Sequence, residues 1–417
     1  MRWWTAPSSA PARRRRVALL AATLALALLA LALWGVFGRA PASVAVAAGP
    51  VPPAAAAQPF FGPMPAAAPP APEQGRRLRA QLQHAEHTYC SYLAATRYPP
   101  GSRPMHENAD QDRPNDPVLS TGPMRLSGDS ADDSVRLQTS QSRVWLGAGE
   151  SAVFMVRAID AAGAPLPLDI GEAVVRGLAP AGQGGQAALA FADDGAAPDA
   201  VARDGVYSAM LDPARGALAG FDGTIRTELR YRVDGRDGVV QFDVIHTPEV
   251  PAVWAGPVRE VLEQGSLNYH LGLAVRQGGR YVVSGRLDDA RGQAVALLTF
   301  NEVLAPGLRD IRLVAFGRLL RDQRPALPLT LRDVEGYLLK DGVDPDRALL
   351  PRLQGRVFTG QAHDAARFSA AEWRSEERSR HLAEFSRDLA RARAGLAAFD
   401  PAAQLPPTAC PPAPEAP

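Results

Sequence analysis

The sequence predicts a mainly β protein with two antiparallel β-sandwich domains, an N-terminal transmembrane helix before them and a C-terminal amphipathic helix after them. Three observations support this fold class. Short runs of alternating apolar and polar residues recur between about 135 and 358, separated by turns rich in Gly, Asp and Pro. An uncharged apolar run occupies 17–37. A helical period of apolar residues replaces the alternation from 369 to 398.

Composition limits the classes of function. A chain of 417 residues has room for two or three domains. Its 45 basic and 44 acidic residues give a net charge of +1, so no global field attracts nucleic acid and we expect no nucleic-acid partner. The two cysteines, Cys90 and Cys410, permit one disulfide, but their distance in sequence does not support it. A disulfide-stapled scaffold is therefore excluded at this stage.

The N-terminal apolar run has the length of a membrane-spanning helix. About 20 helical residues cross the roughly 30 Å hydrocarbon core, and the run at 17–37 is uncharged. Four arginines at 13–16 precede it and predict a cytoplasmic start. Tryptophans that suit the membrane interface flank the run: Trp3, Trp4 and Trp34. Residues 1–38 are thus predicted to be a basic stub and single-pass anchor in a bacterial inner membrane, with the remaining chain in the periplasm.

A cleaved signal peptide is the competing interpretation of this region. The small residues Ala45, Val46 and Ala47 fit a cleavage site, and cleavage would release a secreted protein. The apolar run, however, exceeds the core of about 7–15 residues that signal peptides carry, and the cleavage site lies well beyond it. The pattern favours an uncleaved anchor.

Two segments of lower apolar content follow the anchor. Residues 39–75 are Ala/Pro-rich and are predicted to form a semi-extended spacer, since they bury too little apolar surface to offset their ordering entropy. Residues 76–134 are predicted to form a short helix and then an extended linker. His84, His87 and Cys90 lie on that helix, but their spacing matches no standard zinc motif and indicates an ordinary helix.

The first β domain is predicted to span 135–248. Its turns alternate with runs of strand-forming residues, as in a β-sandwich. The segment Asp234–Gly238 joins two strongly alternating runs and predicts a hairpin. The candidate strands are Val135–Thr139, Arg143–Leu146, Ala152–Ile159, Ala173–Gly177, Ala187–Phe191, Gly205–Leu211, Thr224–Val233 and Val239–His246.

The second β domain is predicted to span 249–368, and the stretch Ser266–Arg332 is its centre. Alternation is clear at Leu267, Tyr269, Leu271 and Leu273, which places these side chains on one buried face. Turn residues follow at Gly278-Gly279 and again at Asp288–Gln293. The pattern predicts an antiparallel meander.

Residues 369–400 are predicted to form the C-terminal amphipathic helix, and 401–417 a disordered Pro-rich tail. Ser369 and Glu372 have the spacing of a capping box at the helix start. The apolar stripe is expected to dock on the second sandwich and comprises Trp373, Leu382, Phe385, Leu389 and Leu396.

The most distinctive motif is the acidic loop at Ala192–Ser208 (ADDGAAPDAVARDGVYS). Its candidate metal ligands are Asp193, Asp194, Asp199 and Asp204, interleaved with glycines. Ca²⁺ needs six to eight oxygen ligands, which a bent acidic loop supplies. The alternative is a structural loop in which Asp side chains cap turns. The spacing is not that of an EF-hand, and Ca²⁺ is the one cofactor that the sequence suggests.

These residues resemble a family. The acidic loop, the run GRYVVSGRLDDARGQAVA and the run PLTLRDVEGYLL are similar to bacterial envelope proteins with a choice-of-anchor X type, Ig-like domain. The resemblance covers about Val135–Phe368, while Ala196, Pro198 and Arg203 stand where the family more usually has glycine. It implies two Ig-like domains and an extracytoplasmic location with varied anchors, and it implies no activity.

Two classes of function remain open. The chain lacks the G-x-S-x-G elbow, the phosphate-binding loop, the dinucleotide fingerprint and C-x-x-C. The favoured expectation is a non-enzymatic ectodomain, bound to the membrane through 17–37, that binds an unknown envelope protein or glycan or plays a structural role. The alternative is a calcium-dependent hydrolase or accessory module. A cleft of carboxylates with perturbed pKa between the sandwiches would favour that alternative.

Overall fold

The computed structural model describes residues 71–126, 130–178, 184–402, 405, 408 and 410. The predicted anchor at 1–38 and most of the predicted spacer lie outside these residues. Within the part of the chain that is described, no helix combines the length and the apolar character needed to cross a bilayer.

The described residues form three α-helices and nineteen strands. The helices are α1 (Ala71–Ala95), α2 (Gly317–Gln323) and α3 (Glu376–Phe399). The first strands are β1 (Ser102–Pro104), β2 (Val118–Arg125), β3 (Ala131–Gln141), β4 (Trp145–Gly147), β5 (Ala152–Asp160), β6 (Pro165–Leu166), β7 (Asp169–Gly177), β8 (Gln186–Ala188), β9 (Tyr207–Leu211), β10 (Gly223–Val233) and β11 (Arg236–Thr247). The others are β12 (Ala252–Glu263), β13 (Ser266–Val275), β14 (Gly279–Asp288), β15 (Ala294–Leu304), β16 (Gly307–Ala315), β17 (Thr330–Leu339), β18 (Arg347–Leu349) and β19 (Leu353–Thr359).

The first sandwich packs two sheets face to face. One has the order β4-β11-β10-β7-β8, and the other β2-β3-β5-β6 with β9 also on β5. Phe154 and Phe242 stack between them with centroids 4.6 Å apart. The predicted hairpin is confirmed: β10 and β11 pair from Val233↔Arg236 onward, and Asp234 and Gly235 both have positive φ, as a tight two-residue turn requires.

The second sandwich packs the sheet β1-β15-β14-β17-β18, with β19 on β17, against the sheet β12-β13-β16. The predicted buried face is confirmed, since Leu267, Tyr269, Leu271 and Leu273 are all within its core. Alternation therefore identified the inward side chains of β13 correctly.

The predicted meander is wrong in its strand pairing. Between β13 and β17, only β14 and β15 pair as consecutive strands; β13 and β14 belong to opposite sheets, and β16 returns to the sheet of β13. At the corner before β14 the Tyr281 hydroxyl donates to the Gln277 carbonyl oxygen at 2.6 Å. Alternation shows which side chains are buried but does not show which of two facing sheets receives a strand.

The predicted linker also has more structure than its composition indicates. β1 extends the second sandwich through β15, and β2 extends the first through β3. Residues 105–117, here called the strap, join them. The strap is held by Arg286, which is fully buried and donates to the carbonyl oxygens of Gln111 (2.8 Å) and Asp333 (3.0 Å) and to Glu335 (2.8 Å).

The C-terminal helix differs from its prediction in both start and docking. The cap is Ser375 rather than Ser369: its Oγ accepts from Arg378 N at 3.0 Å, and α3 begins at Glu376. Instead of docking on the second sandwich, α3 packs antiparallel on α1, and we call α1 and α3 the helix pair. Gly75 contacts Phe399 at one end, and Thr96 binds Arg378 at the other.

The sequence left open whether the two cysteines pair, and the structure pairs them. Cys90 and Cys410 form a disulfide with Cα atoms 5.5 Å apart, despite a sequence separation of 320 residues. Because α3 returns to α1, the chain after it reaches Cys90. Leu405 and Cys410, both in the tail that was predicted to be disordered, pack against the helix pair.

Polar and aromatic contacts join the two sandwiches. The Arg347 guanidinium, at the start of β18 in the second sandwich, lies 4.4 Å from the Trp145 ring of the first sandwich and 4.7 Å from the Tyr337 ring of its own sheet. Arg352 forms an ion pair with Glu150 of the first sandwich. These contacts hold the sandwiches in one arrangement through cation–π and charge interactions.

Candidate functional site

The acidic loop is built on hydrogen bonds from its own backbone. Asp193 accepts from Asp204 N at 3.2 Å and from Gly205 N at 3.0 Å, which brings the two ends of the loop together. Asp199 is buried and accepts from Gly195 N at 2.6 Å. Arg203 adopts φ 59°, a left-handed conformation that glycine, the usual residue of the resembled family at this position, enters more easily.

Three of the four predicted ligands come together. One carboxylate oxygen each from Asp193, Asp199 and Asp204 lies within 4.8 Å of the others. Asp194 is outside this group, and its carboxylate instead caps a turn by accepting from Ala196 N at 2.9 Å. An ionised carboxylate has about four lone-pair sites, so a turn cap leaves capacity for a cation. The loop thus has features of both interpretations of the sequence, the cation-binding loop and the structural loop in which Asp side chains cap turns. Calcium binding stays a prediction.

Sequence reasoning missed a polar cavity in the second sandwich. It has a volume of about 700 Å³ and lies between the strap, the β14–β15 turn and β17. Arg332 is its central group: its guanidinium binds Asp288 Oδ2 at 2.6 Å and Asp333 Oδ2 at 3.0 Å and also pairs with Asp112 of the strap. Asp112 and Arg332 are 220 residues apart, so spacing provided no signal.

The electrostatics of the cavity are dominated by Arg332. Burial acts to lower the pKa of its guanidinium, but hydrogen bonds to Asp288 and Asp333 outweigh burial and raise the pKa above its ordinary value. Arg332 is therefore a fixed positive charge. Asp288 Oδ1 is buried without a hydrogen-bond partner among the described residues, and Asp333 has a left-handed φ of 46°. Three carboxylates, those of Asp112, Asp288 and Asp333, surround this one guanidinium, which suits fixation of the strap and leaves negative charge in excess in the cavity.

A third cluster joins β12 to the segment after β19. The Glu260 side chain is buried, and its Oε1 lies 2.8 Å from His363 Nε2. Burial, and then the negative charge of Glu260, raise the pKa of the Tyr269 phenol well above its ordinary value, so Tyr269 stays neutral. The cluster fastens this segment to the sandwich.

The helical His/Cys motif does not supply a thiolate ligand. Cys90 is bonded to Cys410, so its sulfur is not available with His84 and His87. The acidic trio of Asp193, Asp199 and Asp204 is the one group of metal-ligating side chains of this kind found in the described residues.

The comparisons with known proteins assign no family. No family model and no curated protein matches this chain. Among solved structures, it is similar to a DUF4785 family protein of Legionella pneumophila, with 12% identity and a TM-score of 0.37 over 56% of this chain and 62% of the other. The chain thus spans less than two thirds of that protein.

Two further solved structures are similar at lower scores. One is the native E. coli alpha-2-macroglobulin, with 14% identity and a TM-score of 0.27 over 58% of this chain and 15% of the other. The other is the adhesin InvE of Yersinia pseudotuberculosis, with 11% identity and a TM-score of 0.18 over 51% of this chain and 58% of the other. Similarities of this size carry no functional argument.

Proposed function

We propose that this chain is a single-pass inner-membrane protein whose ectodomain lies in the periplasm and acts as a non-enzymatic binding or structural module. The Cys90–Cys410 disulfide is the observation that carries the location. Disulfides persist in oxidising compartments such as the periplasm and are rare in the cytosol. The basic stub and the apolar run at 17–37 support the same orientation.

The arrangement of the ectodomain supports binding or scaffolding. Contacts through Arg347 and Arg352 join the sandwiches, and the strap crosses from one to the other. A protein built this way presents loops and sheet faces in a constant relative position. We propose an envelope protein or glycan as the partner, in agreement with the location that the choice-of-anchor resemblance implies.

The location is tested with a thiol reagent that does not cross membranes. Spheroplasts that express the full chain are treated with a maleimide–polyethylene glycol conjugate, with and without prior reduction. We expect the protein in the membrane fraction, labelled in intact spheroplasts only after reduction. The Cys410→Ser variant, which leaves Cys90 free, should be labelled without reductant. Labelling of either protein only after lysis would refute a periplasmic ectodomain.

Binding is tested by co-sedimentation of the purified full chain with purified peptidoglycan sacculi and, separately, with outer-membrane vesicles. Saturable sedimentation with one of them, without release of soluble fragments, is the expected result. The alternative function is a calcium-dependent hydrolase or accessory module, for which the acidic trio provides a candidate cation site. Calcium-dependent release of soluble glycan fragments would favour that alternative over a binding module.

A further inference from the structure

The apolar seam of the helix pair runs along most of both helices. Its buried apolar residues recur every seven positions, as in a two-stranded coiled coil: Leu82 and Tyr89 on α1 and Leu382, Leu389 and Leu396 on α3. The seam also includes small or polar residues (Gly75, Ala85, Arg378 and Ala392) and partly buried apolar residues (Leu78, Tyr92, Leu93 and Phe385). Small and polar residues thus interrupt the large apolar ones along the seam, and an ion pair between Glu86 of α1 and Arg393 of α3 at 3.7 Å also crosses it. Such a seam buries less apolar surface than an unbroken row of large apolar residues.

The two ends of the helix pair are held differently. At the end near the sandwiches, Thr96 binds Arg378 at 3.2 Å, and Arg97 and Tyr98 both bind Asp322 at 2.9 Å. At the other end, where α1 begins and α3 ends, Arg79 and Asp400 form an exposed pair at 3.6 Å. An exposed ion pair contributes little to stability. No loop joins the helices at that end, because the chain that connects them leaves α1 after Ala95 and enters α3 at Glu376.

The disulfide adds a covalent link to the helix pair. Cys90 lies near the Ala95 end of α1, and Cys410 is on the segment that follows α3, so the bond returns the chain after α3 to α1 and closes it over the helix pair. Such a cross-link reduces the conformational freedom gained on opening. Both cysteine residues are partly exposed. A disulfide is reduced when a thiolate attacks one of its sulfurs.

We propose that the Cys90–Cys410 bond is a redox-sensitive clamp of the helix pair. In its oxidised form it holds α1 against α3; its reduction lets the helices open locally while both sandwiches stay folded. The reductant is a dithiol. One thiolate attacks a sulfur of the disulfide, forms a mixed disulfide and releases the other cysteine as a thiolate. The second thiolate of the reductant then attacks its own mixed disulfide, so the dithiol is oxidised to a disulfide and both cysteines, after protonation, are thiols.

Opening of the helix pair would loosen a helix that precedes both sandwiches in the chain. In sequence, α1 lies between the predicted anchor and both β domains. The clamp itself is a property of the folded chain and does not depend on the proposed location. A test with purified protein therefore separates failure of this inference from failure of the proposed function.

The test is hydrogen exchange, followed by mass spectrometry, of the full chain in detergent before and after reduction by dithiothreitol. Peptides from α1 and α3 should exchange about thirtyfold faster or more after reduction, while peptides from β10 and β13 keep their rates. The double variant Cys90→Ser/Cys410→Ser should show the fast helix rates without reductant and no response to it. Unchanged helix rates would overturn the clamp, as would equal acceleration of helices and sandwiches.

A seam variant provides an independent check that helix opening is detected. Leu389→Ala removes a buried seam residue and leaves both cysteines in place. It should accelerate exchange of the helix peptides in the oxidised protein as well. If Leu389→Ala accelerates these peptides and reduction of the wild type does not, noncovalent contacts hold the helix pair without the disulfide and the proposal is refuted.

Discussion

Arg286 offers the most direct test of how the strap is held. Its side chain has no solvent exposure, and its N–H groups donate hydrogen bonds to the carbonyl oxygens of Gln111 and Asp333 and to the Glu335 carboxylate. Arg286→Met keeps much of the apolar volume but removes every donor. Removing one partner of a buried charge pair costs about 3–5 kcal/mol. We expect the lower end, about 3 kcal/mol, because Glu335 is 31% exposed and also contacts Arg352.

The assay is unfolding of the full chain in urea, in which hydrogen exchange of β14 peptides gives the free energy of unfolding. Hydrogen exchange of the strap amides is measured in the same samples and shows whether the strap stays protected. Arg280→Met is the matched control, since Arg280 lies on the same strand, is exposed and makes a side-chain bond to Asn301 at 3.1 Å. The control should change the free energy of unfolding by less than about 0.5 kcal/mol. If Arg286→Met stays within about 1 kcal/mol of the wild type and the strap keeps its protection, our account of this arginine is wrong.

Three further predictions concern the loop, a histidine and the inter-sandwich contact. Millimolar Ca²⁺ should raise the melting temperature of the full chain, because a cation that binds only the folded state stabilises it by mass action. Asp199→Asn should abolish this rise, whereas Asp194→Asn, which changes a residue outside the trio, should keep it. A wild-type protein whose melting temperature does not rise would contradict calcium binding. Burial lowers the pKa of His246 below its ordinary 6.5, so the unfolded chain binds a proton more readily and stability should fall as the pH drops through that value. His246→Asn should flatten this pH dependence of the melting temperature, and an unchanged slope would remove His246 as its source. Arg347→Ala removes the cation–π contact to Trp145 that crosses between the sandwiches, worth about 0.5–1 kcal/mol. The distance distribution in small-angle X-ray scattering should therefore broaden, and an identical profile would show that other contacts hold the sandwiches.

Local patterns predicted the strands well because period-two burial is a property of the chain itself. The β10–β11 hairpin and the inward face of β13 follow directly from alternation and turn residues. The partner sheet does not follow. β13 and β14 both bury one apolar face, and each of two facing sheets satisfies that requirement equally.

The helix pair shows the same limit for longer distances. An apolar stripe on α3 predicts that something covers it, and the second sandwich was the nearest element in sequence. The actual cover is α1, whose own apolar positions share the seven-residue spacing. The pairing places Cys410 beside Cys90, which no argument from sequence separation supports.

The candidate sites divide in the same way. The acidic loop was visible because its carboxylates lie in one short segment, although the local turns placed Asp194 outside the trio. The polar cavity was invisible, because Asp112 and Arg332 meet only after the strap crosses the second sandwich.

The mainly β class, most strand positions and the acidic loop follow from the order of amino acids alone, because these features depend on neighbours within a few residues. The sheet partners, the helix pair, the disulfide and the cavity around Arg332 became visible only in three dimensions. These features join segments that are far apart in the chain. Their formation depends on which buried surfaces fit together when the chain packs, and a one-dimensional pattern does not encode that choice locally.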